Sequence, residues 1–418
     1  MKRSTESMLT THAGSLPRPD SLRDILADRQ VGRDYDADRL EAEVRAAIDA
    51  VVAKQAEVGL TVVNDGENSK YSFITYLKDR LDGFGVVEEE ISAYYASRRG
   101  LGPGEIRASL DFPEFFEGRG SADSFVREGK TAERAVCTGP ISWKDFSEVE
   151  RDIANLKSAL APFDGQVADA FMSATSPGAV LMTLPNRYYK DDEEYLYAIA
   201  DAMSREYKAI VDAGFVLQLD CPDLATRVIA REQAALERGE RTDFSLEEFR
   251  REIKRNIDVL NHATRDIDPD QMRIHVCWGS TEYPHHLDTE LKDFVDVLLT
   301  ARPAGLMVVG ANGRHEHEWR VWEDVTLPEG KVVLPGVIDS TTNIIEHPDT
   351  VAERILRYAS VLGKENVIAN VDCGFQTSAG RDQVDPRVAW AKLRSLSEGA
   401  ARASRELWGS VTSFAVGG

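Results

Sequence analysis

The chain has 418 residues, of which 42% are hydrophobic, and its formal net charge is −21. A surface this acidic argues against nucleic acids and anionic membranes as partners. The sequence contains neither an apolar run long enough to span a bilayer nor a signal peptide. Its four cysteines are too sparse for a disulfide scaffold and favour a reducing compartment. The composition therefore predicts a soluble, cytoplasmic globular protein.

Segments with helical periodicity alternate along the chain with short apolar runs that end in polar residues. Residues 40–58 and 195–213 repeat apolar positions at helical spacing, and the two patterns stop at Gly59 and Gly214. Apolar runs follow each glycine and lead into Glu67 and Asp220. A helix, a glycine, an apolar strand and a polar tip form the repeat of a parallel sheet that is covered on both faces.

The number of strand ends favours a barrel. Strand-like tips occur near nine residues, which are Ser15, Glu67, Gly139, Leu184, Asp220, Cys277, Gly310, Asp339 and Cys373. A (β/α)8 barrel needs eight, so one tip belongs to an accessory strand or loop, and such barrels carry their active sites at these carboxyl ends. A doubly wound sheet would also bind ligands there, but the chain lacks a Gly-x-Gly-x-x-Gly turn and a phosphate loop. We expect an α/β fold with one TIM-barrel domain over residues 1–418.

Residues 86–130 interrupt this repeat with an acidic, aromatic and glycine-rich segment. A long insertion of this kind is typical of a lid, an oligomer contact or a β-hairpin over the barrel. A lid or a dimer contact is the favoured interpretation, and a homo-oligomer is one option that the sequence leaves open.

The residues that point most directly to chemistry are His275 and Cys277. They lie two apart in an apolar, strand-like run, so their side chains share a face of the strand. Cys373 follows another apolar run at a turn into glycine. One imidazole and two thiolates form a three-ligand zinc site, and the open fourth position is typical of catalytic zinc. The alternative is that these residues are ordinary core side chains, since free cysteine is often a small buried hydrophobe.

Two other histidine-containing segments are ambiguous. His315 and His317 share a face only in a strand, so residues 314–318 are interpreted as a structural cluster of salt bridges and hydrogen bonds at a loop rather than as a metal site. Of the neighbouring His285 and His286, one is a candidate to line the barrel mouth.

Five segments in order resemble the catalytic domain of the cobalamin-independent methionine synthase family, especially its short single-domain bacterial members. The segments are Thr10-Thr-His12-Ala-Gly-Ser15-Leu-Pro-Arg18-Pro, Asn64-Asp65-Gly66-Glu67, Leu217-Gln-Leu-Asp220-Cys-Pro, His275-Val-Cys277 and Asp372-Cys373-Gly-Phe. Each motif alone is weak, but together they extend the resemblance over nearly the whole chain. The resemblance implies a (β/α)8 barrel that binds Zn²⁺, activates the thiol of homocysteine and directs it to a methyl donor such as a methylated folate.

The family's functional residues can be transferred to this sequence one by one. By this resemblance His275, Cys277 and Cys373 match the zinc ligands. Ser15 matches the residue near the amino-acid carboxylate, and His12 of the same motif is included among the substrate-binding candidates. Glu67 and Asp220 match the acidic residues that hold the substrate ammonium. Two alternatives concern these carboxylates: Glu67 caps a following helix, or Asp220 forms a turn with Pro222.

The chain departs from the family at a further zinc ligand. Family members usually place a Glu five residues before the Arg of an Asn-Pro-Arg-His-Glu-His-Glu-Trp stretch. Here that position is Val309, and Gly313 replaces the proline. Valine cannot ligate a metal, so the ion would have three protein ligands or borrow another, with Glu282 a distant candidate.

A second departure is Thr341, which stands where methionine synthases have a His thought to assist the transfer; the nearby His347 falls at a predicted helix start. Both departures favour a change of reaction or donor. The alternatives are a zinc-dependent alkyltransferase or lyase that uses another thiol or another electrophile, such as an epoxide or a methyl-corrinoid. Two further alternatives are a metal-free enzyme resembling uroporphyrinogen decarboxylase and a non-catalytic zinc carrier. Neither would require the activation of a thiol. Cys277 and Cys373 argue against the decarboxylase, which needs no soft ligands.

Overall fold

A computed structural model describes residues 1–90, 101–117, 131–227, 230–380 and 383–409. Its strands are β1 (Val62–Val63), β2 (Leu81–Glu90), β3 (Thr131–Trp143), β4 (Asp169–Thr175), β5 (Val216–Asp220), β6 (Met272–Val276), β7 (Gly305–Val308), β8 (Val332–Ile338) and β9 (Asn370–Val371). Seven of them form a curled parallel sheet in the order β1, β4, β5, β6, β7, β8, β9, while β2 pairs with β3. The predicted α/β class is confirmed, but the described sheet has seven strands rather than the eight of a closed barrel.

The chain near the amino terminus lies between the two edge strands of this sheet. The carbonyl of Leu9 accepts a hydrogen bond from the amide of Ala369 at 2.9 Å, and the amide of Thr11 donates to the carbonyl of Ala369 at 2.9 Å. On the other side, the amide of Val62 donates to the carbonyl of Thr10 at 2.9 Å. Residues 9–11 therefore contact both edges of the curled sheet.

Helices connect successive strands and cover the sheet. The α-helices of the described residues are Asp20–Gln30, Ala37–Glu57, Leu77–Arg80, Pro103–Ala108, Ser147–Leu160, Pro177–Thr183, Asp192–Asp212, Ala230–Glu237, Leu246–Ala263, Val295–Leu298, Val321–Asp324, Pro348–Leu362 and Pro386–Trp408. The two helices predicted at 40–58 and 195–213 are present as Ala37–Glu57 and Asp192–Asp212. The helix that begins at Asp192 is capped by Asp191, and Gly214 follows its end with φ of 94°. None of the described helices is long and apolar enough to cross a membrane.

Of the predicted strand ends, one belongs to the expected accessory strand and one is wrong. Gly139 lies within β3, which pairs antiparallel with β2 outside the main sheet, so it is the accessory strand. Leu184 follows the short helix Pro177–Thr183, while the strand of that unit ends at Thr175. The apolar run at 179–184 belongs to that helix, because a short apolar run without clear periodicity does not distinguish a buried helix from a buried strand.

The segment predicted as an insertion, residues 86–130, comprises the second half of β2 and the chain that connects β2 to β3. Residues 91–100 and 118–130 of it lie outside the described residues. Its described part contains the helix Pro103–Ala108, whose Ile106 packs with Phe116 and Leu236 in a small apolar cluster separate from the main core. A role as a lid or a dimer contact stays a prediction.

The register of the parallel strands sets the positions of the polar residues inside the sheet. Asp220 of β5 lies beside His275 of β6, which in turn lies beside Met307 of β7. Two residues earlier on the same strands, Gln218 lies beside Arg273. Because alternate residues of a strand share a face, Asp220 and His275 form one layer at the carboxyl end, and Gln218 and Arg273 form the layer beneath it.

Candidate active site

Three side chains that can ligate a metal ion converge at the carboxyl ends of β6 and β9. The ligand atoms of His275, Cys277 and Cys373 all lie within 4.8 Å of one another. His275 and Cys277 are alternate residues at the end of β6, and Cys373 follows β9 directly. All three are buried. The structure therefore brings together the three residues that the sequence singled out as metal ligands.

The hydrogen bonding of these residues fits a metal site. Both ring nitrogens of His275 are buried without a hydrogen-bond partner among the described residues, which is a costly arrangement for an imidazole. The Cys373 thiol donates to the sulfur of Cys277 and holds the pKa of Cys277 well below its usual value. An imidazole and two thiolates are nitrogen and sulfur donors, and such donors bind zinc in preference to hard cations.

The described residues add no carboxylate to this group. Val309 is buried directly after β7, and Glu282 is exposed. The loop after Val309 is held by Asp372, whose carboxylate accepts hydrogen bonds from the amides of Gly310 at 2.8 Å and Asn312 at 2.6 Å. An apolar side chain thus occupies the position at which the family resemblance implied a further ligand.

One cavity contains these three residues together with two carboxylates. Its lining residues are Ala13, Ser15, Glu67, Phe73, Asp220, Pro222, His275, Cys277, Cys373, Gly374 and Thr377. A larger cavity of about 410 Å³ lies elsewhere, around Asp223 and Asn256, and no cysteine or histidine is among its lining residues. Of these two cavities, the small one is therefore the one whose walls carry thiol and imidazole groups.

Glu67 is held with one carboxylate oxygen free. Its Oε1 accepts a hydrogen bond from Ser173 Oγ at 2.7 Å, while Oε2 is buried without a partner among the described residues. The backbone of Glu67 has φ of 57°, a strained value for a residue with a side chain. Arg18 stabilises this conformation by donating to the Glu67 carbonyl at 2.9 Å. The next helix begins only at Leu77, so Glu67 does not cap a helix.

Asp220 faces the same cavity from the end of β5. Burial and the nearby Glu67 raise the pKa of Asp220 to about 7. Gln218 donates to its Oδ1 at 2.8 Å. Two buried carboxylates that disfavour each other's charge form a site that a bound cation would stabilise. Asp220 is the last residue of β5, and the 3-10 turn that follows begins only at Pro222, after Cys221. Asp220 therefore belongs to the strand end and not to that turn.

Ser15 and His12, which were predicted together, differ in position. Ser15 lines the cavity, and its Oγ lies so close to Gly374 that any Cβ there would approach it to 1.9 Å. His12 lies outside the cavity lining: its Nδ1 accepts from the amide of Gly14, and its Nε2 donates to Gln55 at 2.8 Å. Burial lowers the pKa of His12 to about 3. His12 is thus a neutral residue of the core with both nitrogens engaged.

The second histidine-rich segment forms a hydrogen-bonded cluster. His285, Asp288 and His315 also place ligand atoms within 4.8 Å of one another. In contrast to His275, His315 has acceptors at both nitrogens, with Asp288 at 3.1 Å and Glu318 at 3.0 Å. His285 likewise lies 2.6 Å from Asp288 and 3.1 Å from the carbonyl of Thr281. This geometry is that of an ion cluster, and neither His285 nor His286 lines the small cavity.

Thr341 and His347, the residues at the second departure from the family pattern, form their hydrogen bonds away from the cavity. Thr341 donates through its Oγ1 to Asp339 at 2.8 Å, and it is not among the cavity residues. His347 is the N-cap of helix Pro348–Leu362, as predicted, and its Nδ1 accepts from the amide of Asp349. The structure therefore offers no imidazole at the cavity besides His275 within the described residues.

Fold and site together define an α/β protein with a thiolate and imidazole cluster at the carboxyl ends of a parallel sheet. A family model described as the catalytic domain of cobalamin-independent synthases matches residues 8–179 and 172–392. The chain belongs to this family, which confirms the resemblance inferred from its motifs.

Similar proteins agree with this assignment. A methionine synthase of Saccharolobus islandicus is 24% identical over 406 residues, covering 95% of each chain, and that of Sulfolobus acidocaldarius is 22% identical over 402 residues, covering 95% of this chain and 93% of the relative. The structure resembles that of a B12-independent methionine synthase from Shewanella sp. W3-18-1 in complex with selenomethionine. The TM-score is 0.68 at 20% identity, and the match covers 97% of this chain and all of the other. The likeness to this solved structure is one of fold alone.

Proposed function

We propose that this protein is a zinc-dependent methyltransferase that uses the thiol of homocysteine as its nucleophile. The observation that carries the proposal is the cluster of His275, Cys277 and Cys373, with its unpartnered imidazole, in one cavity with Glu67 and Asp220. The assignment of the chain to the cobalamin-independent synthase family supports it. The names of its relatives, which are methionine synthases, point to homocysteine.

His275, Cys277 and Cys373 would hold the ion, and the fourth position would be left for the substrate sulfur. Zinc bound there would lower the pKa of the substrate thiol, so that it is present as a thiolate at neutral pH. Two thiolate ligands would moderate the Lewis acidity of the ion and so keep the substrate sulfur nucleophilic. The sulfur attacks the methyl carbon, the bond between the methyl group and the donor breaks, and its electron pair stays with the donor.

The remaining cavity residues fit the amino-acid part of homocysteine. The free Oε2 of Glu67 and the carboxylate of Asp220 are suited to the substrate ammonium, which would satisfy both groups. Ser15, which lines the same cavity, is assigned to the substrate carboxylate. His12 is not assigned to substrate, because both of its nitrogens bond inside the core.

We also propose that residues 9–11 act as the eighth strand of a (β/α)8 barrel that forms a single domain. Their hydrogen bonds to Ala369 on one side and Val62 on the other support this closure. One apolar core, which extends from Met8 to Ala403, supports the single domain. Active sites of such barrels lie at the carboxyl ends of the strands, which is where the candidate ligands lie.

A second candidate keeps the thiol chemistry and changes the reaction partner. It is favoured by Val309 and Thr341, which replace a ligand and a histidine of the methionine synthases. In this case the enzyme would be an alkyltransferase or lyase that joins another thiol to a different electrophile. Its cavity would need no ammonium site, so the free oxygen of Glu67 favours homocysteine.

X-ray absorption at the zinc edge, recorded on purified protein with and without homocysteine, tests the proposal. We expect two sulfur ligands in the free protein and three after homocysteine is added. A zinc signal that does not respond to homocysteine would favour the second candidate. Protein that binds no zinc under metal-replete conditions would contradict the proposal itself.

A further inference from the structure

We propose that Gln218 and Arg273 form a positioning pair that orients the carboxylate of Asp220 toward the amino group of the substrate. Neither residue lines the cavity, so both act through Asp220. The inference rests on the proposed function, in which Asp220 binds an ammonium group. It adds a second layer of residues, buried beneath the site, that determines how well the protein distinguishes an amino-acid thiol from other thiols.

The orientation of the Gln218 amide follows from its partners. Its Oε1 lies 3.0 Å from Nε of Arg273, which can only donate a hydrogen bond. The other end of the amide must therefore be the nitrogen. That nitrogen donates to the carbonyl of Ala13 at 2.6 Å and to Oδ1 of Asp220 at 2.8 Å. Both amide hydrogens are used, and the amide cannot rotate by 180° without placing its oxygen against two acceptors.

Arg273 fixes the other end of this chain of hydrogen bonds. It is 1% exposed, and its guanidinium lies 3.8 Å above the ring of Phe171. Its remaining hydrogen bonds go to Thr11 Oγ1 at 3.2 Å and to the carbonyl of His12 at 3.3 Å. All of these acceptors are neutral, so the buried positive charge reaches a carboxylate through Gln218. Charge-assisted hydrogen bonds of this kind are stronger than neutral ones.

The sheet makes room for this arrangement on the neighbouring strand. Gly305 of β7 lies beside Arg273 in the register, and a Cβ at Gly305 would approach Cβ of Arg273 to 2.6 Å. Gly305 thus leaves room for a side chain at position 273 inside the sheet. In Asp220, Oδ1 is held by Gln218, while no described side chain donates a hydrogen bond to Oδ2. Oδ2 is left for a ligand in the cavity.

The test compares the binding of two thiols to the zinc-loaded protein by titration calorimetry. Homocysteine carries the ammonium group, and 4-mercaptobutyrate is the same molecule without it. Wild-type protein should bind homocysteine more tightly. In Gln218→Met, which keeps the volume but removes the donor, the dissociation constant for homocysteine should rise about 10- to 100-fold, the range for loss of a hydrogen bond to a charged group. The constant for 4-mercaptobutyrate should stay within about twofold.

Two further variants separate positioning from folding. Gln218→Leu removes both the donor to Asp220 and the acceptor for Arg273, so it should lose the preference for homocysteine in the same way. Asn256→Leu is the matched control, because Asn256 also donates an amide hydrogen to a buried carboxylate, Asp223 at 3.0 Å, outside the small cavity. It should lower stability and keep the preference.

The outcomes distinguish this inference from the proposed function. If wild-type protein binds both thiols equally, the ammonium site and hence the homocysteine assignment are wrong. If the wild type prefers homocysteine and both Gln218 variants keep that preference, the positioning role is wrong. Loss of the preference in Asn256→Leu as well would attribute the effect to general loosening of the fold and would also overturn the inference.

Discussion

The sulfur atoms of Cys277 and Cys373 lie 3.8 Å apart, although 96 residues separate them in the chain. Two thiolates that bind the same tetrahedral zinc ion at about 2.3 Å are themselves about 3.8 Å apart. The fold therefore holds these sulfurs at the spacing that a zinc ion would require. His275, with both ring nitrogens unpartnered, is the third member of the same arrangement.

Replacing Cys277 or Cys373 with Ser should remove most of the bound zinc, because a serine hydroxyl is a much weaker ligand than a thiolate. Metal analysis by mass spectrometry after dialysis measures this directly. Cys221→Ser is a suitable control, since Cys221 is also buried but does not line the cavity, and it should keep a full equivalent. A full equivalent of zinc in both the Cys277 and Cys373 variants would mean that the metal binds elsewhere.

Glu67→Gln should weaken the binding of homocysteine by about tenfold or more, because it replaces the carboxylate whose Oε2 is free in the cavity with a neutral amide. The binding of 4-mercaptobutyrate, which has no ammonium group, should change little. Calorimetric titration with the two thiols provides the comparison within one variant. An equal loss for both thiols would assign Glu67 to the shape of the cavity and not to ammonium binding.

Much of the fold could be predicted from the sequence because the signals are local. The helix at 192–212 has a strong apolar face and ends before Gly214, so the periodicity located it to within a few residues. Leu184 was assigned to a strand end because its apolar run is too short to show a period. The contacts of residues 9–11 with Ala369 and Val62 depend on segments far apart in the chain, and local patterns do not report them.

The candidate site was predictable where residue type alone restricts the chemistry. Cysteine and histidine at alternate positions indicate metal binding, and the structure brings His275 together with both cysteines. His12 is a histidine like the candidate ligand His275, but its hydrogen bonds inside the core could not be predicted from the sequence. Gln218 and Arg18 were missed, because the roles of both depend on partners supplied by other strands and loops. One signal for Gln218 was available in the sequence. Gln218 lies two residues before Asp220 and therefore on the same face of β5.

Val309→Glu should add an oxygen ligand to the metal. Met307 lies beside His275 in the register. Val309 follows Met307 by two residues, directly after the end of β7, so continued alternation would place its side chain on the face that carries the ligands. A carboxylate there would be close to the ion, whereas Val309→Gln, a neutral variant of similar size, would bind much more weakly. X-ray absorption at the zinc edge should show one more oxygen neighbour for the Glu variant than for the wild type. Identical spectra for the Glu variant and the wild type would show that residue 309 does not face the metal.

The pH dependence of stability should contain a contribution from His315. Burial disfavours its imidazolium form, but the hydrogen bonds to Asp288 and Glu318 outweigh burial and raise the pKa of His315 to about 9 from 6.5. Because the folded-state pKa is raised, the stabilisation is fully present below about pH 6.5 and is lost as the pH rises through about 9. A shift of this size corresponds to roughly 3 kcal/mol.

His315→Gln should therefore destabilise the protein strongly near pH 6 and much less above pH 9, relative to wild type at the same pH. Urea unfolding of both proteins across this pH range measures the difference. His317→Gln is the matched control, because His317 is exposed two residues away, and its stability should parallel that of the wild type at every pH. A destabilisation by His315→Gln that is independent of pH would show that His315 is neutral in the folded protein. In that case the cluster would act through packing on Trp278, whose ring stacks on His315 at 4.0 Å.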